Sequence, residues 1–320
     1  MASELLRTTN VAGDLPSAQQ KRKEVRVWMD GSFDMVHFGH ANVIRLAQQL
    51  GDKLVVGLQS DERARLVGAI KWVHQVVENA PYGTRLETLD EYNCDFCVHG
   101  DDISTTADGR DPYAAFRPVN RFRILSRSES QHREEKDHKP SNGCRSPWTG
   151  RFPFLTTSRI ITQFAEGRDP RPGDRIVYVD GAYDLFNVGH VDFLEKAAAE
   201  GDFLIVGLHN DSVVRRYKGD KYPIITLLER VLSVLACKYV ADVVIDAPYE
   251  VTAELLDRLK VDVEAKKRGK FKFIDSGNPL TTEMIVERIV RRRHEFEARN
   301  MKKEEKEVKI LELYHSDLNV

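Results

Sequence analysis

The chain has 320 residues, which is enough for about two domains of ordinary size. Its 48 Lys and Arg residues and 50 Asp and Glu residues give a formal net charge of −2, which argues against a dedicated nucleic-acid-binding protein because such proteins usually carry a basic excess. No run of 18 apolar residues occurs and the N-terminus lacks the apolar core of a signal peptide, so we expect a cytoplasmic protein without a transmembrane segment.

The chain contains a long internal repeat. The segment VWMDGSFDMVHFGH begins at Val27, and its counterpart VYVDGAYDLFNVGH begins at Val177, an offset of 150 in the numbering. A second block begins at Glu62 and again at Glu229, where the offset is 167. Because the second offset is larger, the second copy carries an insertion, which lies between Asp211 and Glu229. We interpret the repeat as two homologous domains, one of which has a loop that the other lacks.

Composition divides the chain further. We predict a disordered N-terminus over 1–23, a first domain over 24–116, a linker over 117–172, a second domain over 173–290 and a charged helix over 291–320. The linker is rich in charge, Ser and Pro, with little periodicity. The tail does not sustain heptads, so we expect a solvated helix rather than a coiled coil or a membrane-surface helix.

Each copy has the pattern of an α/β unit. Val25–Met29 and Arg175–Val179 are short β-rich segments, helical spacing follows them, and the apolar runs KLVVGL and FLIVGL predict second strands covered on both faces. Gly51 and Gly201 follow the helices, at the position where a helix C-terminus favours a positive φ. The sequence therefore predicts two tandem Rossmann-like domains with parallel sheets, plus a long C-terminal helix.

The most informative motif lies where the first strand hands over to the first helix. Ligands of open parallel sheets bind at this edge, and a helix N-terminus favours phosphate. Gly31 and Gly39 allow close approach of the backbone. His37 and His40, three positions apart, can point to one side and donate hydrogen bonds to phosphoryl oxygens. We predict a phosphate-binding turn here.

These motifs carry a family resemblance. The H-x-G-H element after a G-x-F-D strand end is the signature of the nucleotidyltransferase superfamily, and DGSFDMVHFGH, IKWVHQVVENAPY, RYKGDKYPI and GNPLTTEMIVERI resemble the cytidylyltransferases of phospholipid synthesis. The tandem arrangement is similar to the members of that family that use ethanolamine phosphate. The resemblance covers most of both copies.

The resemblance implies a reaction and a set of residues. Phosphoethanolamine would attack the α-phosphorus of CTP, accompanied by Mg²⁺, to give CDP-ethanolamine and pyrophosphate. The residues that it marks as catalytic are His37, His40 and Lys218; those for the nucleotide are Gly31, Ser32, Phe33, Asp34, Gly39, Gly181, Tyr183, His190, Arg230, Thr281 and Thr282; those for the phospho-alcohol are Tyr82, Asp101 and Asp102. No protein-bound metal is expected, whereas contact with the endoplasmic reticulum surface and a homodimer are open alternatives.

Both copies depart from the family pattern. The first lacks the loop that carries Lys218, and in the second Asn187 replaces the first histidine of the H-x-G-H element. One interpretation is that the copies complete each other across their interface. Another is a shortened, weak or inactive form that binds nucleotide as a regulatory or interaction protein. A third is a transferase for ATP, glycerol 3-phosphate or phosphopantetheine.

The Cys94-x-x-Cys97 pair raises the question of a zinc site. A zinc site needs four ligands, and no second pair with matching spacing is present. We therefore interpret both residues as thiols in the core of a strand.

Overall fold

The computed structural model describes residues 22–58, 61–81, 83–100, 111–125, 156–165, 168–264, 272–295, 297–302 and 304–305. Within these residues, the chain forms two parallel β-sheets, one in each copy of the repeat. The prediction of two tandem Rossmann-like domains is thereby confirmed.

The first copy contains a five-stranded sheet. Its strands are β1 (Arg26–Asp30), β2 (Lys53–Gly57), β3 (Gln75–Val77), β4 (Phe96–Gly100) and β5 (Phe122–Leu125), in the spatial order β3-β2-β1-β4-β5. The helices are α1 (Phe38–Gln48), α2 (Asp61–Val67) and α3 (Leu86–Glu91). Because β1 is central and its neighbours run parallel to it, the turn after β1 lies in the middle of the carboxyl edge of the sheet.

The second copy repeats this arrangement. Its strands are β6 (Ile176–Gly181), β7 (Phe203–Leu208), β8 (Asp242–Ile245) and β9 (Val263–Glu264), in the order β8-β7-β6-β9. Its helices are α5 (Val188–Ala198), α6 (Asp211–Lys218), α7 (Leu227–Leu235), α8 (Ala253–Leu259) and α9 (Thr282–Arg291), and α4 (Thr156–Phe164) precedes them.

The element positions reproduce both offsets of the sequence repeat. The starts of β1, α1 and β2 recur in β6, α5 and β7 at the smaller offset, whereas the starts of β3, α3 and β4 recur in β8, α8 and β9 at the larger one. Between these groups the second copy inserts α6 and the loop that follows it. The insertion therefore forms an ordered element at the edge of the sheet.

The two copies contact each other through equivalent elements. Helix α1 packs against α7 and α2 against α5, and within the repeat α1 corresponds to α5 and α2 to α7. The backbone N–H of Lys71 donates to the carbonyl of Ala236 at 2.9 Å, and that of Lys238 donates to the carbonyl of Ala69 at 2.8 Å. Lys71 and Lys238 are equivalent at the larger offset, as are Ala69 and Ala236. The interface is thus isologous, like that of a twofold dimer.

Two elements lie within the range for which the sequence predicts a linker. Strand β5 extends the first sheet, and α4 packs Ile161 and Phe164 into the core of the second copy. Helix α9 ends at Arg291 with Arg292 as its C-terminal cap, and helical residues resume at 293, so the long helix that we predicted is interrupted at position 292. None of the helices within the described ranges is long and apolar enough to cross a membrane.

The prediction for Gly51 and Gly201 is wrong. Neither has a positive φ, and the residues that cap α1 and α5 are Gln49 and Ala199 in right-handed helical geometry. The glycines are instead constrained by space. A Cβ on Gly201 would lie 2.5 Å from the carbonyl oxygen of Arg175, because the helix end abuts the start of β6.

We therefore expect Gly201→Ala to lower the free energy of unfolding by about 1–3 kcal/mol, because the backbone at Arg175 cannot yield as a side chain would. Urea denaturation measures this loss. Gly83→Ala is the matched control, since nothing lies within 4 Å of the position that its Cβ would take. Equal effects of the two substitutions would contradict the packing explanation.

Candidate nucleotide-binding site

The turns after β1 and β6 have the same strained backbone. Phe33 and Met35 have φ values of 42° and 49°, and their equivalents Tyr183 and Leu185 have 52° and 45°. Residues other than glycine rarely occupy this left-handed region, and such strain is typical of ligand-binding turns. In both copies the aromatic ring of the turn folds over the preceding glycine, Gly31 or Gly181.

Histidine side chains cap the helix that follows the turn. In the first copy, Nδ1 of His37 accepts from the Gly39 N–H at 3.0 Å, and Nδ1 of His40 accepts from the His37 N–H at 3.4 Å. The two rings lie side by side, with centroids 4.2 Å apart. A ring nitrogen that accepts a hydrogen bond is unprotonated, so each neutral imidazole carries its proton on Nε2. His37 and His40 therefore both have the tautomer that a phosphate donor needs, with the N–H group on Nε2.

Asn187 keeps the capping function of the histidine that it replaces. Its Oδ1 accepts from the Gly189 N–H at 2.9 Å, and its Nδ2 donates to the Leu185 carbonyl at 2.9 Å. The side chain is buried, whereas His37 is exposed. Asn187 therefore holds the turn from within, and His190 is the imidazole of this motif in the second copy.

Asp184 anchors the inserted loop. Its carboxylate accepts from the backbone N–H groups of Ile224 at 2.7 Å and Ile225 at 3.1 Å, and the residue is buried. Its equivalent Asp34 is exposed in the first copy, which lacks the loop. Asp34 and Asp184 thus occupy the same turn position, but only Asp184 attaches a further segment to it.

The insertion places Lys218, the last residue of α6, at an open cleft of about 410 Å³. The N-terminal residues of α5 and α9 also line this cleft, among them Gly189, His190, Thr281 and Thr282. The Lys218 Nζ lies 3.7 Å from the Glu283 carboxylate. Two helix N-termini and a lysine together create a positive potential that suits a polyphosphate. The structure therefore brings together four residues that the sequence marked for the nucleotide or for catalysis.

His190 is neutral in this cleft. Burial lowers the pKa of His190 to about 4, and the positive charge of Lys218 acts in the same direction. Its Nδ1 accepts from the Asn187 N–H at 3.2 Å, so the proton is on Nε2. His190 can therefore donate a hydrogen bond to a phosphate oxygen at neutral pH without carrying a charge.

The two threonines also have structural functions. Thr281 caps α9 by accepting from the Met284 N–H at 3.3 Å. The Thr282 hydroxyl is buried and donates to the Asp184 carbonyl at 2.9 Å. These contacts hold the start of α9 against the turn after β6.

Arg230 is placed differently from the cleft residues. It is fully buried, and its guanidinium donates to the Ala182 carbonyl at 2.6 Å, to the His209 carbonyl and to the Asp211 carboxylate at 2.8 Å. Its equivalent Arg63 donates to the Ser32 carbonyl at 2.7 Å. Both arginines bind the turn backbone, so a direct contact with phosphate stays a prediction.

A further cluster of side chains surrounds His209 in the second copy, and the sequence did not single it out. His209 bridges Asp180, at 3.2 Å from Nε2, and the Tyr217 hydroxyl, at 3.2 Å from Nδ1. The exposed ring of Tyr249 lies 5.0 Å from that of Tyr217. Tyr249 is the repeat equivalent of Tyr82 at the larger offset, and this correspondence could have identified it. In the first copy Asp30 takes the place of Asp180; its carboxylate accepts from the Tyr113 hydroxyl at 3.2 Å, and burial raises its pKa.

The remaining sequence predictions concern the residues for the phospho-alcohol, the cysteine pair and a metal site. Tyr82, Asp101 and Asp102 lie outside the described residues. Cys94 and Cys97 are buried core thiols as predicted, and burial raises the pKa of Cys94 to about 11. Within the part of the chain that the structure describes, no group of three or more His, Cys, Asp and Glu side chains could hold a metal ion.

The fold and the cleft define a tandem α/β protein of the nucleotidyltransferase class. The family model Cytidylyltransferase-like matches residues 28–147 and 178–310. The chain is 45% identical to an ethanolamine-phosphate cytidylyltransferase of Mus musculus, with 90% of this chain and 91% of that protein covered. It is 41% identical to that of Dictyostelium discoideum (92% and 99% covered) and 37% identical to that of Arabidopsis thaliana (92% and 86% covered).

The chain belongs to the ethanolamine-phosphate cytidylyltransferase family. The alignment with the mouse protein extends over 368 positions, more than the 320 residues of this chain, so it includes gaps where the relative has residues that this chain lacks. The chain is therefore shorter than this relative, in the direction that the sequence indicated.

The neutral state of His190 has a consequence for stability. Between about pH 6.5 and pH 4 the unfolded chain takes up a proton that the folded chain does not, so we expect the free energy of unfolding to fall by up to about 3 kcal/mol as the pH is lowered through this range. His190→Gln should remove that part of the pH dependence in urea denaturation. The control is His294→Gln, at an exposed histidine of the tail. An equal reduction of the pH dependence of the free energy of unfolding by both substitutions would contradict the assignment to His190.

Proposed function

We propose that this chain transfers the cytidylyl group of CTP to phosphoethanolamine, giving CDP-ethanolamine and pyrophosphate. The observation that carries the proposal is the cleft of the second copy, where Lys218, His190 and the N-termini of α5 and α9 meet at the carboxyl edge of a parallel sheet. The relatives from mouse, Dictyostelium and Arabidopsis are named for this activity. The non-catalytic alternative is not favoured, since this cation and both helix N-termini are retained.

The reaction is an in-line displacement. A phosphate oxygen of phosphoethanolamine forms a bond to the α-phosphorus of CTP, and the bond from that phosphorus to the β-phosphate oxygen breaks, so that pyrophosphate leaves with the electron pair. The protein positions two anions and neutralises the charge that develops on the phosphoryl oxygens. Lys218 supplies a full positive charge, His190 a neutral N–H donor and the two helices their free N–H groups.

The aromatic cluster around His209 has the chemistry for the other end of phosphoethanolamine. A primary ammonium is favoured by a carboxylate and by the faces of aromatic rings. Asp180 supplies the carboxylate and Tyr217 and Tyr249 supply the rings, and Tyr217 immediately precedes Lys218 on α6. We therefore assign this cluster to the amine and the cleft to the phosphates.

We assign turnover to the second copy. Lys218 belongs to the insertion between Asp211 and Glu229, so the first copy has no equivalent of it. In the first copy, His37, His40, Gly31, Ser32, Phe33, Asp34 and Gly39 would bind nucleotide phosphates. Turnover there would be slower, because a cation on the transferring group is missing.

The proposal also includes a metal ion and a location. Mg²⁺ would accompany CTP and be held mainly by its phosphate oxygens, as is usual for this ion at nucleotide sites. The chain would act in the cytoplasm, with a homodimer and contact of its tail with the endoplasmic reticulum surface as further elements. Met284 and Val290 of α9 and Met301 of the tail are exposed apolar residues that support such a contact.

The experiment that tests the proposal measures CDP-ethanolamine formed from labelled CTP and phosphoethanolamine. We expect Lys218→Ala to lower kcat/KM about 10²–10³-fold, because it removes a charge that stabilises the transition state. Lys221→Ala, at an exposed lysine of the same insertion, is the matched control. His40→Ala in the first copy should lower kcat/KM by less than about tenfold, because it removes roughly one hydrogen bond at a site that does not determine the rate.

Three outcomes would contradict the account. Absence of turnover in the wild-type chain while CTP still binds would favour the regulatory alternative. Turnover with ATP or another phospho-alcohol in preference would overturn the substrate assignment. A larger loss in His40→Ala than in Lys218→Ala would move turnover to the first copy.

A further inference from the structure

Arg65 of the first copy reaches across the interface to helix α5 of the second copy. Its Nε donates to Oδ1 of Asp192 at 3.1 Å, and its guanidinium also pairs with the carboxylate of Glu195. The Tyr239 hydroxyl donates to the same Glu195 at 2.5 Å, and burial together with that hydrogen bond raises the pKa of Tyr239. Arg65 is thus fixed at two carboxylates of one helix.

The carboxylate of Asp192 is shared with the segment that lines the cleft. Its Oδ1 faces Arg65, and its Oδ2 accepts from Nδ2 of Asn278 at 2.8 Å. Asn278 in turn accepts the Leu280 N–H on its Oδ1 at 3.0 Å, so its side chain holds the turn that leads into α9. The carbonyl of Leu280 lies so close to α5 that a Cβ on Gly189 would come within 2.8 Å of it.

We infer that Arg65 is a positioning residue of the first copy for the phosphate cleft of the second, acting through Asp192 and Asn278. The start of α9 presents Thr281 and Thr282 to the cleft, and its place depends on the turn over 275–280. An arginine that fixes the Asp192 carboxylate leaves one oxygen aimed at Asn278 and so limits the positions that this turn can take. The first copy thereby contributes to nucleotide binding at a site that it does not itself line.

A second anchor of the same turn does not cross the interface. Nζ of Lys196, also on α5, donates to the carbonyls of Asp275 at 2.8 Å and Ser276 at 2.9 Å. Lys196 holds the first half of the turn and Asn278 the second half. Loss of Arg65 should therefore loosen the turn without releasing it, and its effect should be moderate.

Hydrogen exchange of the free protein tests the relay without reference to activity. The N–H groups of Gly277, Asn278 and Leu280 all donate to side chains of the turn, so their exchange reports its opening. We expect Arg65→Ala to speed this exchange about three- to tenfold and to weaken CTP binding in calorimetry by a similar factor. Arg65→Lys, which keeps the charge but not the fork, should recover part of the loss.

Lys238→Ala is the matched control. Lys238 also bridges the copies, because its Nζ donates to the carbonyl of Gly68 at 2.8 Å, but it makes no contact with the turn over 275–280 among the described side chains. The relay predicts unchanged exchange and CTP affinity in this variant. Equal effects of Lys238→Ala and Arg65→Ala, or none of Arg65→Ala, would overturn it.

A double substitution completes the test. If Arg65 acts through Asn278, then Arg65→Ala should add less than about twofold to the loss of CTP affinity caused by Asn278→Ala. Full additivity would overturn the relay. The inference rests on the proposed function only for its significance in catalysis: a chain that binds CTP but does not turn over would refute the activity, whereas exchange and affinity would still decide the relay.

Discussion

The contact between the two copies is the constraint on which the rest of the structure depends, and two backbone hydrogen bonds between equivalent positions are part of it. Lys71 donates to Ala236 and Lys238 donates to Ala69, so each copy offers the same edge to the other. Such mutual contacts are the geometry of a twofold dimer. The duplication places this interface within one chain. It also packs α1 and α5, the helices that begin at the two phosphate-binding turns, against the opposite copy.

The insertion breaks this symmetry. Both copies retain the strained turn, the capped helix and the arginine that binds the turn backbone. Only the second copy carries the inserted loop, and Asp184 draws it onto the turn. The result is a lysine beside a helix N-terminus in one copy and an exposed aspartate at the same turn position in the other. Two copies of one fold thus acquire different chemistry from a single loop.

Local and repeated features of the chain could be predicted from the sequence. The first two strands and the first helix of each copy, together with both offsets, follow from apolar periodicity and from self-similarity, which need no knowledge of distant contacts. The phosphate-binding turn was predictable because all of its residues are adjacent in sequence. Lys218, Thr281 and Thr282 were identified through family resemblance, and the structure gives the physical reason for their grouping at one cleft.

Contacts between distant segments could not be predicted. Asp180, His209, Tyr217 and Tyr249 come from separate elements, and no spacing in the sequence connects them. Gly201 was misjudged because a glycine after a helix favours a positive φ in general, whereas here the proximity of Arg175 imposes the requirement. Arg65 lies on an ordinary helix, and only the docking of the copies reveals that it meets Asp192.

Because the copies share one edge and one apolar core, we expect them to unfold as one cooperative unit. Hydrogen exchange in increasing denaturant tests it most directly, with the amides of β1 reporting on the first copy and those of β6 on the second. Both sets of amides should lose protection in a single transition, with the same free energy and the same dependence on denaturant. Loss of protection in one strand while the other stays fully protected would contradict it.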